Sequence, residues 1–170
     1  MKVIFQTLLF SALYLQLAAQ KDTEFPKEFI MHAKLHNGMI TDFKYAPDLY
    51  IGGIQIVPQY TIVEHLLRGG IIADGYYTGK KIQGAVGPTV SVKLKTFKAA
   101  PFGSFGNIHL NIDHLWGSNS VKLIGGGINV DLGNKIVLGL TAHREYNYGS
   151  WWFQNTLGIR ISKTKKLPEL

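Results

Sequence analysis

From Phe29 to Ser162 the chain runs through eight stretches in which apolar and polar residues alternate, and each ends in a turn signal or an aromatic. A period of two is the period of a β-strand, whose successive side chains point to opposite faces. Each stretch is roughly ten to fourteen residues long, the length of a strand in a small closed barrel. In Lys122-Leu-Ile-Gly-Gly-Gly-Ile-Asn-Val-Asp-Leu132, Ile124, Ile128, Val130 and Leu132 share one face, and Gly125, Gly127, Asn129 and Asp131 share the other. After Gly133-Asn134, a two-residue hairpin signal, Ile136, Leu138, Leu140 and Ala142 alternate with Gly139, Thr141, His143 and Glu145. The two stretches pair with matching faces.

The spacing predicts strands near 29–36, 49–61, 66–77, 83–97, 106–116, 121–132, 135–147 and 151–162, joined mostly by short turns. An even count lets an antiparallel sheet close on itself. Pro58 and Pro88 fall inside predicted strands, where proline removes a ladder hydrogen bond, so bulges or earlier strand ends are expected there. Helical spacing is confined to Ile62-Val-Glu-His-Leu-Leu67, one or two turns at most.

Alternation does not say which face points inward, because a soluble carrier barrel and a membrane barrel are inside-out versions of one another. The polar face decides. It carries Gly53, Gly70, Gly87, Gly125, Gly127, Gly139 and Gly158 beside Asn107, Asn111, Asn129 and Gln154, small and neutral residues suited to a narrow lumen. Aromatic residues gather at the strand ends: Tyr50, Tyr77, Trp116, Tyr146, Tyr148, Trp151 and Phe153 at one, Phe29, Tyr60, Phe97 and Phe105 at the other. Rings with a dry body and a wet edge favour membrane interfaces. The expected fold is therefore all-β, a closed antiparallel eight-stranded transmembrane β-barrel.

The first nineteen residues read as a signal peptide: Lys2, an apolar run from Val3 to Leu17, and a cleavage site after Ala19. Residues 20–170 then form one barrel domain with a short basic tail, Lys163 to Leu170. Cysteine is absent, which excludes disulfides, thiolate metal sites and a cysteine-linked lipid anchor. Lys2 supplies one unit of the formal charge of +7, leaving +6 after cleavage. No nucleic-acid motif accompanies that charge, and the basic residues are dispersed (Lys80-Lys81, Arg144, Lys163, Lys165, Lys166), so anionic lipid or lipopolysaccharide phosphate is the expected partner.

The lumen face is expected to hold Lys34, Arg68, Lys93, Lys95 and Arg160 with Asp74, Asp113, Asp131 and Glu145. Such a mixture reads first as a salt-bridged plug and second as a narrow ion path. The six histidines form no ligand set for a metal, and no cofactor motif is present. Thr141, His143 and Glu145 line up inward as the candidate catalytic group, without a clear serine nucleophile.

With stretches such as Ile124-Gly-Gly-Gly-Ile-Asn-Val-Asp-Leu132 and Asn155-Thr-Leu-Gly-Ile-Arg-Ile161, the chain resembles the small eight-stranded outer-membrane barrels of Gram-negative bacteria, with the look of the Bacteroidota branch. The resemblance implies export, insertion by the barrel-assembly machinery, and a non-enzymatic structural, adhesive or interaction role in the envelope. It names no protein partner. Barrel lipid A deacylases offer an alternative comparison, but they carry His-x-Ser where this chain has His143-Arg-Glu145. A soluble lipocalin-like carrier is the remaining alternative.

Overall fold

The computed structural model describes residues 28–43, 48–79, 81–99, 104–132 and 135–162, excluding the side chains of 98, 99, 104, 105 and 162. The leader, Lys80, Gly133-Asn134 and the basic tail lie outside the described residues. Eight strands follow one another: β1 (Phe29–Thr41), β2 (Leu49–Val63), β3 (Leu67–Thr78), β4 (Lys81–Ala99), β5 (Ser104–Gly117), β6 (Lys122–Leu132), β7 (Ile136–Glu145) and β8 (Trp151–Ser162). Each pairs antiparallel with the next, and β8 returns to β1, closing the barrel.

Closure carries a definite stagger. Following paired residues once around from Ile30 leads through Gln59, Gly70, Thr89, Asp113, Gly125, His143 and Trp152 back to β1 at Ile40, ten residues further along. With ordinary strand spacing and rise, eight strands and that stagger require a tilt of about 41° and a backbone radius of about 8 Å. Inward side chains from opposite walls meet across so narrow a lumen.

Several strand ends differ from the sequence reading. Asn37-Gly38 looked like the start of a loop, yet β1 continues to Thr41. Gly38 fits there because its missing Cβ makes room for the Phe153 carbonyl. Ile62-Val63 stays in β2, so the expected helical turn shrinks to a tight turn at Glu64–Leu66 with His65 at φ 62°. The β6–β7 hairpin is closed by the pair Leu132–Ile136, with the Lys135 N–H donating to the Leu132 carbonyl.

The prolines do not produce bulges. Pro58 pairs with Met31 and Pro88 with Ile71, and the β2–β3 and β4–β5 registers are the same on both sides of them. Register shifts occur instead between Thr61 and Val63 and between Lys93 and Lys95. Each proline keeps its pairing on one side, while on the other the β2–β3 ladder lapses at Val57-Pro58 and the β4–β5 ladder at Gly87-Pro88, because the missing N–H leaves one neighbouring strand without a donor.

The faces are inverted relative to a water-soluble barrel. Among the described residues, 24 buried side chains are polar or charged and 11 are apolar, while 28 large apolar side chains are exposed. No described helix is long and apolar enough to cross a membrane, which says nothing of crossing by strands.

Candidate functional site in the lumen and on the barrel wall

The middle of the lumen holds a continuous hydrogen-bond chain assembled from five strands. Lys34 Nζ of β1 donates to Asn129 Oδ1 at 3.0 Å, and the Asn129 amide donates to Asn111 Oδ1 at 2.5 Å. Asn111 donates in turn to Asp113. The Asp113 carboxylate also accepts from Thr89 Oγ1 at 2.6 Å and meets His143 Nε2 at 3.2 Å. A separate group lies beside it: Asp74 meets His36 Nε2 at 2.9 Å and accepts from Gln55 at 3.2 Å. The strand stagger creates these meetings, since Lys34 and Asn129 are 95 residues apart in sequence.

Glycine makes the space. Gly139 stands directly opposite Asn129, and a Cβ there would meet Asn129 Oδ1 and come within 2.5 Å of Thr156 Oγ1. What remains at the centre, between His32, Gln55, Ser91, His109, Asn111 and Thr141, is a cavity of about 10 Å³. Such a space admits about one water.

The two ends differ. Where the β1–β2, β3–β4, β5–β6 and β7–β8 connections lie, Ile51, Tyr76, Ala85, Leu115, Leu123 and Trp152 form an apolar stopper. Its centre is the edge-on contact of Tyr76 with Trp152, ring centroids 5.3 Å apart. At the opposite end, Arg68 lies 3.9 Å from both Asp131 and Glu28, His109 lies 3.9 Å from Asp131, and Arg160 bonds Glu28. Lys93 reaches Thr96 at 3.3 Å.

Of the expected lumen charges, Lys34, Arg68, Lys93, Arg160, Asp74, Asp113, Asp131 and Glu145 are buried, and Lys95 is not. The bulge at Leu94 is the reason: Lys93 pairs with His109 and Lys95 with Ile108, so the extra residue turns Lys95 outward. The middle of the lumen differs from the expected salt-bridged plug, and the direct ion pairs, Arg68 with Asp131 and Glu28 and Arg160 with Glu28, lie at one end. Carboxylates mostly face histidines, amides and hydroxyls, and Lys34 is held by an asparagine.

The expected catalytic group is dispersed. His143 turns to Asp113, and Thr141 lies 3.4 Å from Gln154. Glu145 leaves the lumen network altogether, accepting the backbone N–H groups of Asn147 and Tyr148 to hold the β7–β8 turn. Sequence reasoning did not name His32, His36, His109, Gln55, Thr89 or Trp152 as lumen partners. Period-two alternation places all six inward, but it does not say which residues on other strands they meet.

On the outer wall, Tyr50, Tyr60, Tyr77, Trp116 and Tyr146 are exposed, while Phe97, Trp151 and Phe153 are half-buried. The Phe105 side chain lies outside the described residues. Trp151 stacks on Phe153, and the Arg144 guanidinium sits 5.3 Å over the Trp151 ring. Between the aromatic rims the wall is aliphatic, as at Ile54, Ile112, Leu140, Leu157 and Ile159. Asn37 and Asn155, paired directly across β1 and β8, interrupt it. Among the described residues no group of three or more histidines and carboxylates is placed to hold a metal ion. Neither a scan of protein-family models nor a search of curated proteins finds a match to this chain.

Proposed function

We propose that the chain is an exported outer-membrane barrel, inserted by the barrel-assembly machinery, that serves a structural, adhesive or interaction role in the envelope and carries out no chemistry. The observation that carries this reading is the inversion of faces: Leu140 is 68% exposed and Ile112 65%, whereas Arg68 and Lys93 are 0% exposed. In water, aliphatic residues exposed on all eight strands would drive association. In a bilayer the same wall is matched to its solvent, and closure leaves no backbone edge unpaired. The two aromatic rims fit the interfaces on either side, with outer-membrane lipid and lipopolysaccharide as neighbours.

The filled lumen favours a plug over a carrier's ligand cavity. It also leaves the His143–Asp113 pair closed off from any substrate of lipid size. Fractionation of the native host tests the proposal. Recovery with the outer membrane, dependence on detergent and a heat-shifted gel mobility support it, and release by osmotic shock in soluble form refutes it.

A further inference from the structure

We propose that a recess at the barrel rim, between the ends of β1 and β7 and the start of β8, binds one acidic pyranose unit of a soluble polysaccharide, its carboxylate on Arg144 and its ring against Tyr148 and Phe43. The assignment builds on the membrane reading and the interaction role above.

The recess holds about 190 Å³ and is lined by Asp42, Phe43, Arg144, Tyr148, Gly149 and Trp151. It lies at the end of the barrel where β1 stops at Thr41 and β7 at Glu145, away from the start of β1 and the end of β8. On the outer-membrane reading that end faces outside the cell.

The β7–β8 turn is held rigid on both sides. Buried Glu145 accepts the backbone N–H groups of Asn147 and Tyr148, and its carbonyl accepts the Gly149 N–H at 3.1 Å. The Asn147 side-chain amide donates to the Ser120 carbonyl of the β5–β6 turn. Tyr148 therefore stands 76% exposed on a turn that has little freedom left to lose on binding.

Phe43 is the second sign of a ligand site. Its backbone is left-handed, φ 59°, a conformation that bulky residues rarely adopt. Its N–H donates to Thr41 Oγ1 at 3.0 Å, and its ring meets Phe153 edge-on at 6.0 Å yet remains 69% exposed. Strain that presents a ring to solvent does nothing for the core, and such outliers gather at ligand clamps. Arg144 is the third sign. It pairs across the ladder with Trp151, and its guanidinium lies 5.3 Å over that ring, which fixes the direction of its donors. Among the described residues its charge is in no ion pair, unlike those of Arg68 and Arg160.

These walls select the ligand by chemistry. Pockets for drug-sized molecules begin at about 300 Å³, so this one takes a single ring unit. A guanidinium fork matches a carboxylate. An inorganic anion would leave the aromatic faces bare and offer Asp42 no proton. A cation would meet Arg144, and an acidic amino-acid side chain has neither a flat apolar face nor hydroxyls. A uronic acid brings all three: a carboxylate for Arg144, hydroxyl donors for Asp42, and a face of C–H groups for Tyr148 and Phe43.

The test is isothermal titration calorimetry of the full chain, refolded in an uncharged detergent, with trigalacturonate as the probe. One trigalacturonate should bind per barrel. Its methyl ester should bind roughly tenfold more weakly, and so should trigalacturonate to Arg144→Ala, because a charge-assisted hydrogen bond is lost. Tyr148→Ala should weaken binding about fivefold. Heat-shifted mobility verifies that each variant is folded. Equal affinity for the ester, no change in either variant, or tighter binding of triglutamate overturns the proposal. So does binding that vanishes when the barrel sits in vesicles containing lipopolysaccharide, since the recess would then hold the membrane's own sugars. A barrel that stays soluble without detergent instead refutes the membrane reading, whereas a detergent-dependent barrel that binds no trigalacturonate refutes this inference alone.

Discussion

The Asp113 carboxylate ties together three side chains of the lumen, and removing it gives a quantitative test of the plug. The group is 1% exposed and is approached by Thr89, Asn111 and His143. In Asp113→Ala all three lose their partner, and the neighbouring cavity of about 10 Å³ is too small to hydrate them separately. Each buried donor left unsatisfied costs about 1–3 kcal/mol. Relief of the carboxylate's own desolvation offsets part of that sum, so the net loss should be about 3–5 kcal/mol. Asp113→Asn keeps one acceptor oxygen and should lose about half as much. Reversible urea unfolding in lipid vesicles, followed by tryptophan fluorescence, measures both. A double-mutant cycle with His143→Ala should show a coupling of about 1–3 kcal/mol. Wild-type stability in Asp113→Ala, or zero coupling, would show that the lumen network contributes nothing to holding the barrel together.

Three further outcomes follow from the same geometry. Leu140→Arg, on the belt, should cost about 2–4 kcal/mol in vesicle refolding titrations. Trp152→Ala should cost about 3–5 kcal/mol in the same unfolding assay, because it leaves a cavity in the apolar stopper beside Tyr76. Lys93→Ala should destabilise the barrel while Lys95→Ala leaves its unfolding midpoint unchanged; the reverse order would place the bulge wrongly.

The architecture was legible because alternation is written into every strand. The faces of β6 and β7, from Ile124 and Asn129 to Leu140 and His143, follow from counting by two. Counting fails where a strand gains a residue, and the bulge at Leu94 therefore moved Lys95 to the wrong side. It also fails where a turn-forming pair serves packing, as Asn37-Gly38 does in β1. The prolines misled for a related reason: a missing N–H opens the ladder toward one neighbour without adding a residue, so pairing lapses locally and the register is kept. The contacts of the candidate sites lay beyond the sequence. Whether Lys34 meets Asn129, or Asn37 meets Asn155, depends on the ten-residue stagger, which is a property of the closed sheet. Gly139 shows the practical consequence. It is a small residue on the lumen face by alternation alone, and the structure shows why it is glycine: the side-chain oxygens of Asn129 and Thr156 stand where a Cβ would go.

The absence of cysteine allows the central claim, an apolar wall in contact with lipid and a filled polar interior, to be read one residue at a time. Single cysteines at Ile136, Leu138, Leu140 and Ala142, and at Val137 and Thr141, would each be labelled with a fluorophore after unfolding. The barrel would then be refolded into vesicles containing brominated acyl chains. Refolding with strong quenching is expected at the four even positions, whereas a fluorophore at Val137 or Thr141 finds no room in the filled lumen and should block refolding, a period of two along β7. Uniform quenching at all six positions, or quenching confined to the odd pair, would contradict the claim.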